Sequence, residues 1–308
     1  MQEKYDTIIV GGGPAAISAG IYLARKKVST LLIAKEWGGQ VSKTNEIENY
    51  LGFESIRGSE LSSKMIGHLK KYSLDIQEGV IVEQIKSVDD SLIKVTANDQ
   101  DYQAKTLIVA TGGVPRKLGV SGEKEFSGKG VTYCSICDAP LFKNKGVVVV
   151  GSGNSGLEAA LDLTKYASKI YLLEVADKLG GDKFLQDRIK KENKIQIITS
   201  VSVKEISGDK FVSGLTYKDR QSGNEEKLDV QGVFVEIGWL PNSILFENVV
   251  ELNERKEIKI DKYNQTSAPN IFAAGDVTDV SHKQLVIAAG EGAKAALNVY
   301  DYILNIKK

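Results

Sequence analysis

Hydrophobic and polar positions follow one arrangement at two separate places in the chain. Residues 5–24, YDTIIVGGGPAAISAGIYLA, begin with a short β-branched run, pass through a glycine-rich turn and continue with small and apolar residues at helical spacing. That pattern predicts strand, turn and helix. The same order returns over residues 145–174, KGVVVVGSGNSGLEAALDLTKYASKIYLLE. Each stretch has the layout of a dinucleotide-binding βαβ unit, and two such units suggest two nucleotides.

Between and beyond them, residues 80–110 alternate as antiparallel strands do and run into TLIVATGG, a buried strand closed by Gly112 and Gly113. VPRKLGVSG then reads as a crossover linker. A second hinge falls in IGWLPN at 237–242, where Gly238 and Pro241 interrupt a strand, and IFAAGDV at 271–277 is a further strand ended by Gly275 and Asp276. The expected fold is α/β, with two Rossmann-like dinucleotide-binding domains of three layers (ββα), one inserted into the other. The expected boundaries are 1–113 for the first part of the outer domain, 114–241 for the inserted domain and 242–308 for the return. There is no repeat of solenoid length and no low-complexity segment.

Composition narrows the partners. With 308 residues and 42% hydrophobic content the chain can bury two cores. Forty basic residues balance forty acidic ones, so no net field draws it to nucleic acid or to an anionic bilayer. The charged opening MQEKYDTIIV lacks the layout of a signal peptide, and no apolar run approaches the roughly 18 residues of a membrane span. The expectation is a cytoplasmic protein with no membrane partner.

In the first turn Gly11 permits the tight bend, Gly13 lets backbone approach a pyrophosphate, and Ala16 fills the third position, where a small residue allows close packing of helix on strand. The second turn has all three glycines, Gly151, Gly153 and Gly156, and its next strand ends at Glu174, near the offset at which an acid accepts hydrogen bonds from a ribose 2′-hydroxyl. A 2′-phosphate there would meet like charge, a repulsion of a few kcal/mol at about 4 Å and an effective dielectric near 20. The following stretch, VADKLGGDK, has no arginine to offset it. NADH is therefore expected over NADPH, unless Glu174 is simply a surface acid at a strand end.

Both cysteines fall in YCSICDA, as Cys134 and Cys137. Only His68 and His282 could add zinc ligands, so no metal is expected. A structural disulfide across so short a loop would add little stability. A reactive pair fits better, one thiolate attacking a partner disulfide and the other resolving the mixed disulfide. Asp138 is the nearest acid or base, though its position reads equally well as a capping aspartate.

Taken together, GGGPAA, GGQ at 38–40, IENY at 47–50, ATG at 110–112, CSICD, GSGNSG, IGWLPN, AAGDV and KQLVIAAGEGAKAA at 283–296 resemble the low-molecular-weight thioredoxin reductases. Among these the resemblance is greatest to the flavoprotein component of bacterial alkyl hydroperoxide reductase, and it covers essentially the whole chain. It implies FAD in the outer domain, with Gly11, Gly13, Pro14, Ala15 and Ala16 at the pyrophosphate and Glu36 near the ribose. Gly39, Gln40, Asn49 and Gly112 would lie beside the flavin, Gly275 and Asp276 at the ribityl chain, and Gln284 with the following helix at the pyrimidine edge. It implies NADH on Gly151, Gly153, Asn154, Ser155, Gly156, Glu174 and Gly238 of the inserted domain.

The resemblance further implies Cys137, beside Asp138, as the thiol facing the flavin and Cys134 as the one attacking the partner, in a homodimer. Where NADPH-dependent thioredoxin reductases have a basic cluster after the second strand, this chain has LLEVADK. The Ser135–Ile136 centre also departs from the common dipeptides, and the N-terminal thioredoxin-like folds of the peroxide-reductase flavoproteins are expected to be absent. With no further cysteine, electrons are expected to leave for another protein, thioredoxin- or glutaredoxin-like, which could feed a peroxiredoxin. Access of both nicotinamide and disulfide to one flavin would call for movement of the inserted domain.

The resulting expectation is an FAD-dependent NADH:protein-disulfide reductase, a thioredoxin-disulfide reductase-like enzyme. Three rivals stand beside it: a dithiol oxidase using oxygen without nicotinamide, a non-enzymatic flavin redox sensor, and a ferredoxin or flavodoxin reductase with no need of the cysteines.

Overall fold

A computed structural model of the chain describes residues 4–44, 47–89 and 92–306; residues 1–3 of the charged opening, and the other positions, lie outside the described residues. The first stretch forms β1 (Lys4–Val10), α1 (Pro14–Arg25), β2 (Thr30–Ala34), α2 (Gly58–Leu69), β3 (Asp75–Glu78), β4 (Val82–Asp89), β5 (Leu92–Ala97), β6 (Gln100–Val109) and β7 (Gly113–Pro115). The middle stretch forms β8 (Val131–Thr132), α3 (Ser135–Asp138), β9 (Gly146–Val150), α4 (Asn154–Leu163), β10 (Lys169–Leu173), α5 (Lys183–Ile189), β11 (Ile195–Ile198), β12 (Val201–Gly208), β13 (Val212–Asp219), β14 (Glu225–Leu228) and β15 (Gly232–Val235). The chain closes with β16 (Trp239–Pro241), β17 (Ile271–Ala273) and α6 (Leu285–Ile306).

These elements divide into two compact units, residues 1–114 with 240–308, and residues 115–239. In the outer unit a seven-stranded sheet runs β3-β2-β1-β6-β5-β4. The long β6 borders two partners along one edge: its first half pairs antiparallel with β5 and its last residues pair parallel with β17. Alternation along the strands supplies two cores. Ile8, Val10, Leu107 and Val109 point to one face, towards β4, β5, Phe246 and Ile258. Ile9 and Ile108 point to the other, beneath α1, α2 and α6.

The inserted unit repeats the scheme with the parallel sheet β11-β10-β9-β15-β8. Val147 and Val149 face α4 and α5, whereas Val148 and Val150 face the antiparallel sheet β12-β13-β14. Each unit thus has three layers, with a helical layer, a central sheet and a β layer. In both, the glycine-rich turn leaves the carboxyl end of the sheet's central strand, where ligands meet open α/β sheets.

Candidate active site

In the outer unit the turn after β1 is tight because Gly11 has φ +138° and a Cβ there would lie 2.1 Å from the Ala110 carbonyl oxygen. Gly13 is the residue before α1; a Cβ on it would meet nothing within 4 Å, and no side chain caps the helix. Pro14 at the first helical position has no amide to satisfy. The amides of Ala15 and Ala16, in the first helical turn, have no intrahelical acceptor. An open glycine before an uncapped helix start is the cradle an anionic pyrophosphate fits.

Around this turn the structure places most of the other outer-unit residues singled out from the sequence. Glu36 follows β2, is exposed and pairs with Lys43 at 3.0 Å. A Cβ on Gly39 would lie 3.5 Å from the Gly13 Cα. The Gln40 amide donates to the Gly113 carbonyl at 3.1 Å, next to Gly112. The Asn49 amide donates to the Gln284 side chain at 3.4 Å, joining the IENY segment to the residue just before α6. Gly275 packs on Ala15. Asp276 is half-buried beside it, and burial pushes its carboxyl up to about 6 while Lys283 works against the rise. Lys283 itself is held by Glu257 at 3.0 Å.

In the inserted unit Gly151, at φ +105°, would drive a Cβ to 2.4 Å from the Glu236 carbonyl oxygen, and Gly156 would drive one to 2.0 Å from Gly151 O. Gly153 before α4 is open, and no side chain caps that helix either. Asn154 exchanges two hydrogen bonds with Asp182, at 2.9 and 2.8 Å, and Ser155 is exposed. Gly238, at φ +110°, lies against the Arg116 side chain and accepts the Arg116 amide at 2.9 Å.

Glu174 is more than a surface acid. Its Oε2 accepts from the Ser152 amide at 2.9 Å and the Ser152 hydroxyl at 2.5 Å, and its Oε1 accepts from the Ala176 amide at 2.9 Å. Burial alone would raise its carboxyl, but the bonds from Ala176 and Ser152 outweigh it and hold it below the usual range.

One expectation needs correction. The residues following Glu174 contain no arginine, but Arg220, from the turn after β13, donates to the Val175 carbonyl at 2.9 Å. The turn reaches the end of β10 because the Arg220 amide is itself held by Ser200 O at 2.9 Å.

Cys134 and Cys137 form a disulfide with Cα atoms 5.3 Å apart. Cys134 is the N-cap of α3, and its sulfur accepts from the Cys137 amide at 3.3 Å. The Asp138 carboxylate makes no cap hydrogen bond to the following helical turn. It accepts instead from the Thr132 hydroxyl, whose oxygen also receives the Cys134 amide at 3.3 Å. Burial raises the Asp138 carboxyl and the Thr132 bond opposes that rise. A half-buried carboxyl with a raised pKa, one residue from a redox-capable sulfur, can supply or take up the proton of thiol–disulfide exchange. Thr132 and Ser152 escaped the sequence reading. Their signal is faint: each is a lone hydroxyl, at the end of a short strand and inside a glycine turn.

The outer unit carries one dinucleotide-type turn, and the inserted unit carries a second such turn together with the CxxC disulfide. Residues 5–292 match the family model for pyridine nucleotide-disulphide oxidoreductases, and the chain belongs to that family. It is 45% identical over 303 residues to the alkyl hydroperoxide reductase F protein of Staphylococcus aureus, a match covering 98% of this chain and 60% of that protein. The chain therefore spans less than two thirds of the length of that curated relative. Among solved structures, thioredoxin reductase from Streptococcus pyogenes aligns with a TM-score of 0.93 and 36% identity, over 99% of this chain and 100% of that one. Thioredoxin reductase from Giardia duodenalis aligns with a TM-score of 0.92 and 30% identity, over 98% and 100%. Among the described residues no helix is long and apolar enough to cross a membrane, and no cluster of metal-ligating side chains occurs.

Proposed function

We propose that the chain is an FAD-dependent NADH:protein-disulfide reductase of the thioredoxin reductase type. Its acceptor would be a thioredoxin- or glutaredoxin-like protein, with a peroxiredoxin further along the same chain of exchange. The net reaction is NADH, a proton and a partner disulfide giving NAD⁺ and a partner dithiol. The observation that carries this reading is the Cys134–Cys137 disulfide with Asp138 on Thr132, built into the same unit as the Gly151–Gly156 turn.

FAD would be held by Gly11, Gly13, Pro14, Ala15, Ala16, Glu36, Gly39, Gln40, Asn49, Gly112, Gly275, Asp276 and Gln284, and when bound it supplies the two-electron link between nicotinamide and sulfur. Gly151, Gly153, Asn154, Ser155, Gly156, Glu174 and Gly238 would hold NADH. Cys134 is the attacking thiol in this reading, because its sulfur already receives the Cys137 amide, which favours a thiolate. Cys137 would resolve the mixed disulfide, with Asp138 handling the proton. The reading carries with it a cytoplasmic homodimer.

NADH is favoured over NADPH because the ionised Glu174 is fixed by Ser152 and Ala176 and would repel a 2′-phosphate. Arg220 softens that preference, since its charge lies beside Val175. The test is anaerobic titration of the flavin with each nucleotide, followed by mixing a Cys137→Ser variant with thioredoxin-fold proteins. Bleaching by NADH at lower concentration than by NADPH, and a mixed disulfide on Cys134, are expected. A polypeptide that refuses FAD, or a Cys137→Ser variant that keeps full disulfide-reductase turnover, overturns the reading.

A further inference from the structure

Glu123 follows the VPRKLGVSG linker and is only 4% exposed. A buried carboxyl group needs donors in place of water, and Glu123 has them. Its Oε2 accepts the Gly119 amide at 2.7 Å, and its Oε1 accepts the Leu118 amide at 2.8 Å and the Tyr133 hydroxyl at 3.0 Å. The two amides belong to the linker, and the hydroxyl belongs to the residue immediately before Cys134. Lys117 places its ammonium 3.4 Å from the centre of the Tyr133 ring. Tyr133 is thus held at its hydroxyl by an acid and on its face by a cation, both supplied by residues 117–123.

The segment that supplies this clamp is itself fixed within the inserted unit. The Arg116 amide donates to Gly238 O at 2.9 Å, and Ser121 O accepts the Ile206 amide of β12 at 2.9 Å. At the other end, Tyr133 joins β8, which pairs with β15, to α3, whose N-cap is Cys134. The two residues before Cys134 are therefore anchored independently, Thr132 through Asp138 and Tyr133 through Glu123. The anchor on Tyr133 fixes the direction in which the chain leaves β8, and so where the Cys134 sulfur stands when no bond ties it to Cys137.

We propose that Glu123, acting through the Tyr133 hydroxyl, is a positioning residue for the Cys134–Cys137 pair that keeps the two sulfurs close in the reduced state. Reduction breaks the S–S bond as the pair takes up two electrons and two protons. Reclosure gives them to an oxidant, and its equilibrium depends on how often the two sulfurs meet. Backbone already held beside Cys134 loses less freedom when the bond forms, so the disulfide gains on the dithiol. This deepens the disulfide-reductase reading and rests on it for the use made of the pair: the anchor sets the potential at which the pair accepts electrons.

The test equilibrates the purified protein anaerobically in mixtures of dithiothreitol and its cyclic disulfide, and reads the alkylation of Cys134 and Cys137 by mass spectrometry after acid quenching. Dithiothreitol supplies the two electrons and two protons and closes to its own disulfide, so the ratio of its two forms sets the balance. Tyr133→Phe removes the hydroxyl and leaves the linker bonds to Glu123. It is expected to shift the equilibrium about threefold to tenfold towards the dithiol, a potential about 14–30 mV higher. Glu123→Gln, which cannot accept at both positions, is expected to move it further in the same direction; if that variant does not fold, Tyr133→Phe carries the test. Tyr217→Phe is the control. Its hydroxyl donates to Glu226 at 2.7 Å between β13 and β14 of the same unit, so it gives up a bond of the same kind at a residue not adjacent to the cysteines. It is expected to lower the melting temperature and leave the equilibrium unchanged. A Tyr133→Phe equilibrium equal to wild type or shifted towards the disulfide, or an equal shift in Tyr217→Phe, overturns the proposal. The equilibrium needs no flavin, nicotinamide or partner protein, so failure of the disulfide-reductase reading would show separately, as absent turnover alongside the expected shift.

Discussion

The two glycine turns share one backbone plan and differ in what surrounds it. After β1, the third small position is Ala16, fully buried, whereas after β9 it is Gly156, which touches Gly151 O too closely for any side chain. The acid after the second strand is exposed Glu36 in the outer unit, paired with Lys43, but in the inserted unit it is Glu174, bound by three donors from Ser152 and Ala176. The outer turn keeps its acid available to a ligand. The inserted turn uses its acid to hold its own backbone, so in the proposed reading one side chain would serve both fold and cofactor choice.

The sharpest way to break this comparison is to exchange the third small residues. Gly156→Ala forces a Cβ to 2.0 Å from backbone that β9 and α4 both hold. It is expected to lower stability by about 3 kcal/mol or more and to abolish nicotinamide binding by the inserted unit. Ala16→Gly removes one buried methyl and adds backbone freedom in α1, costing about 1–2 kcal/mol with the turn intact. Thermal unfolding of the two variants compares them directly. Equal losses would mean that the turns are interchangeable.

Smaller, and aimed at the acids, is the pair Glu174→Ala and Glu36→Ala. Removing Glu174 leaves the Ser152 amide and hydroxyl and the Ala176 amide without their acceptor, with an expected cost of about 2 kcal/mol in denaturant unfolding. Removing Glu36 gives up an exposed ion pair worth at most about 0.5 kcal/mol. In cofactor assays Glu174→Ala is expected to narrow the gap between NADH and NADPH. Glu36→Ala should weaken retention of FAD while leaving that gap unchanged.

Much of this contrast was open to inspection before any coordinates. The α/β fold with two dinucleotide units follows from a period that shifts from strand to helix across glycine, first at Gly11–Gly13 and again at Gly151–Gly153, because that local chemistry is sufficient to specify a βαβ unit. The CxxC disulfide was legible for the same reason: its two partners are three residues apart. What stayed hidden depends on contacts distant in sequence. Arg220 reaches Val175 across 45 positions. No rule on spacing would have raised Thr132, whose hydroxyl matters only once Asp138 folds back onto it.

The smallest expected effect sets the two units against each other through pH. Asp276 in the outer unit has its carboxyl raised by burial to about 6 from an ordinary 3.8, so the folded protein holds a proton that the unfolded chain releases. Its contribution favours folding less and less as pH rises between about 4 and 6, by about 2 kcal/mol at most, since the group is only half-buried. Glu174 runs the opposite way. Held below its ordinary range, it stabilises the fold above the unfolded value of 4.5, and that contribution is lost as pH falls. In flavin-free protein, Asp276→Asn should therefore raise the melting temperature near neutral pH and flatten the curve between about 4 and 6, even as it weakens FAD binding. Glu174→Gln should flatten only the more acidic limb. If Asp276→Asn instead destabilises the flavin-free protein at neutral pH, the carboxylate is serving the fold, and the division between an outer turn kept for its ligand and an inserted turn held by its own acid does not extend to this residue.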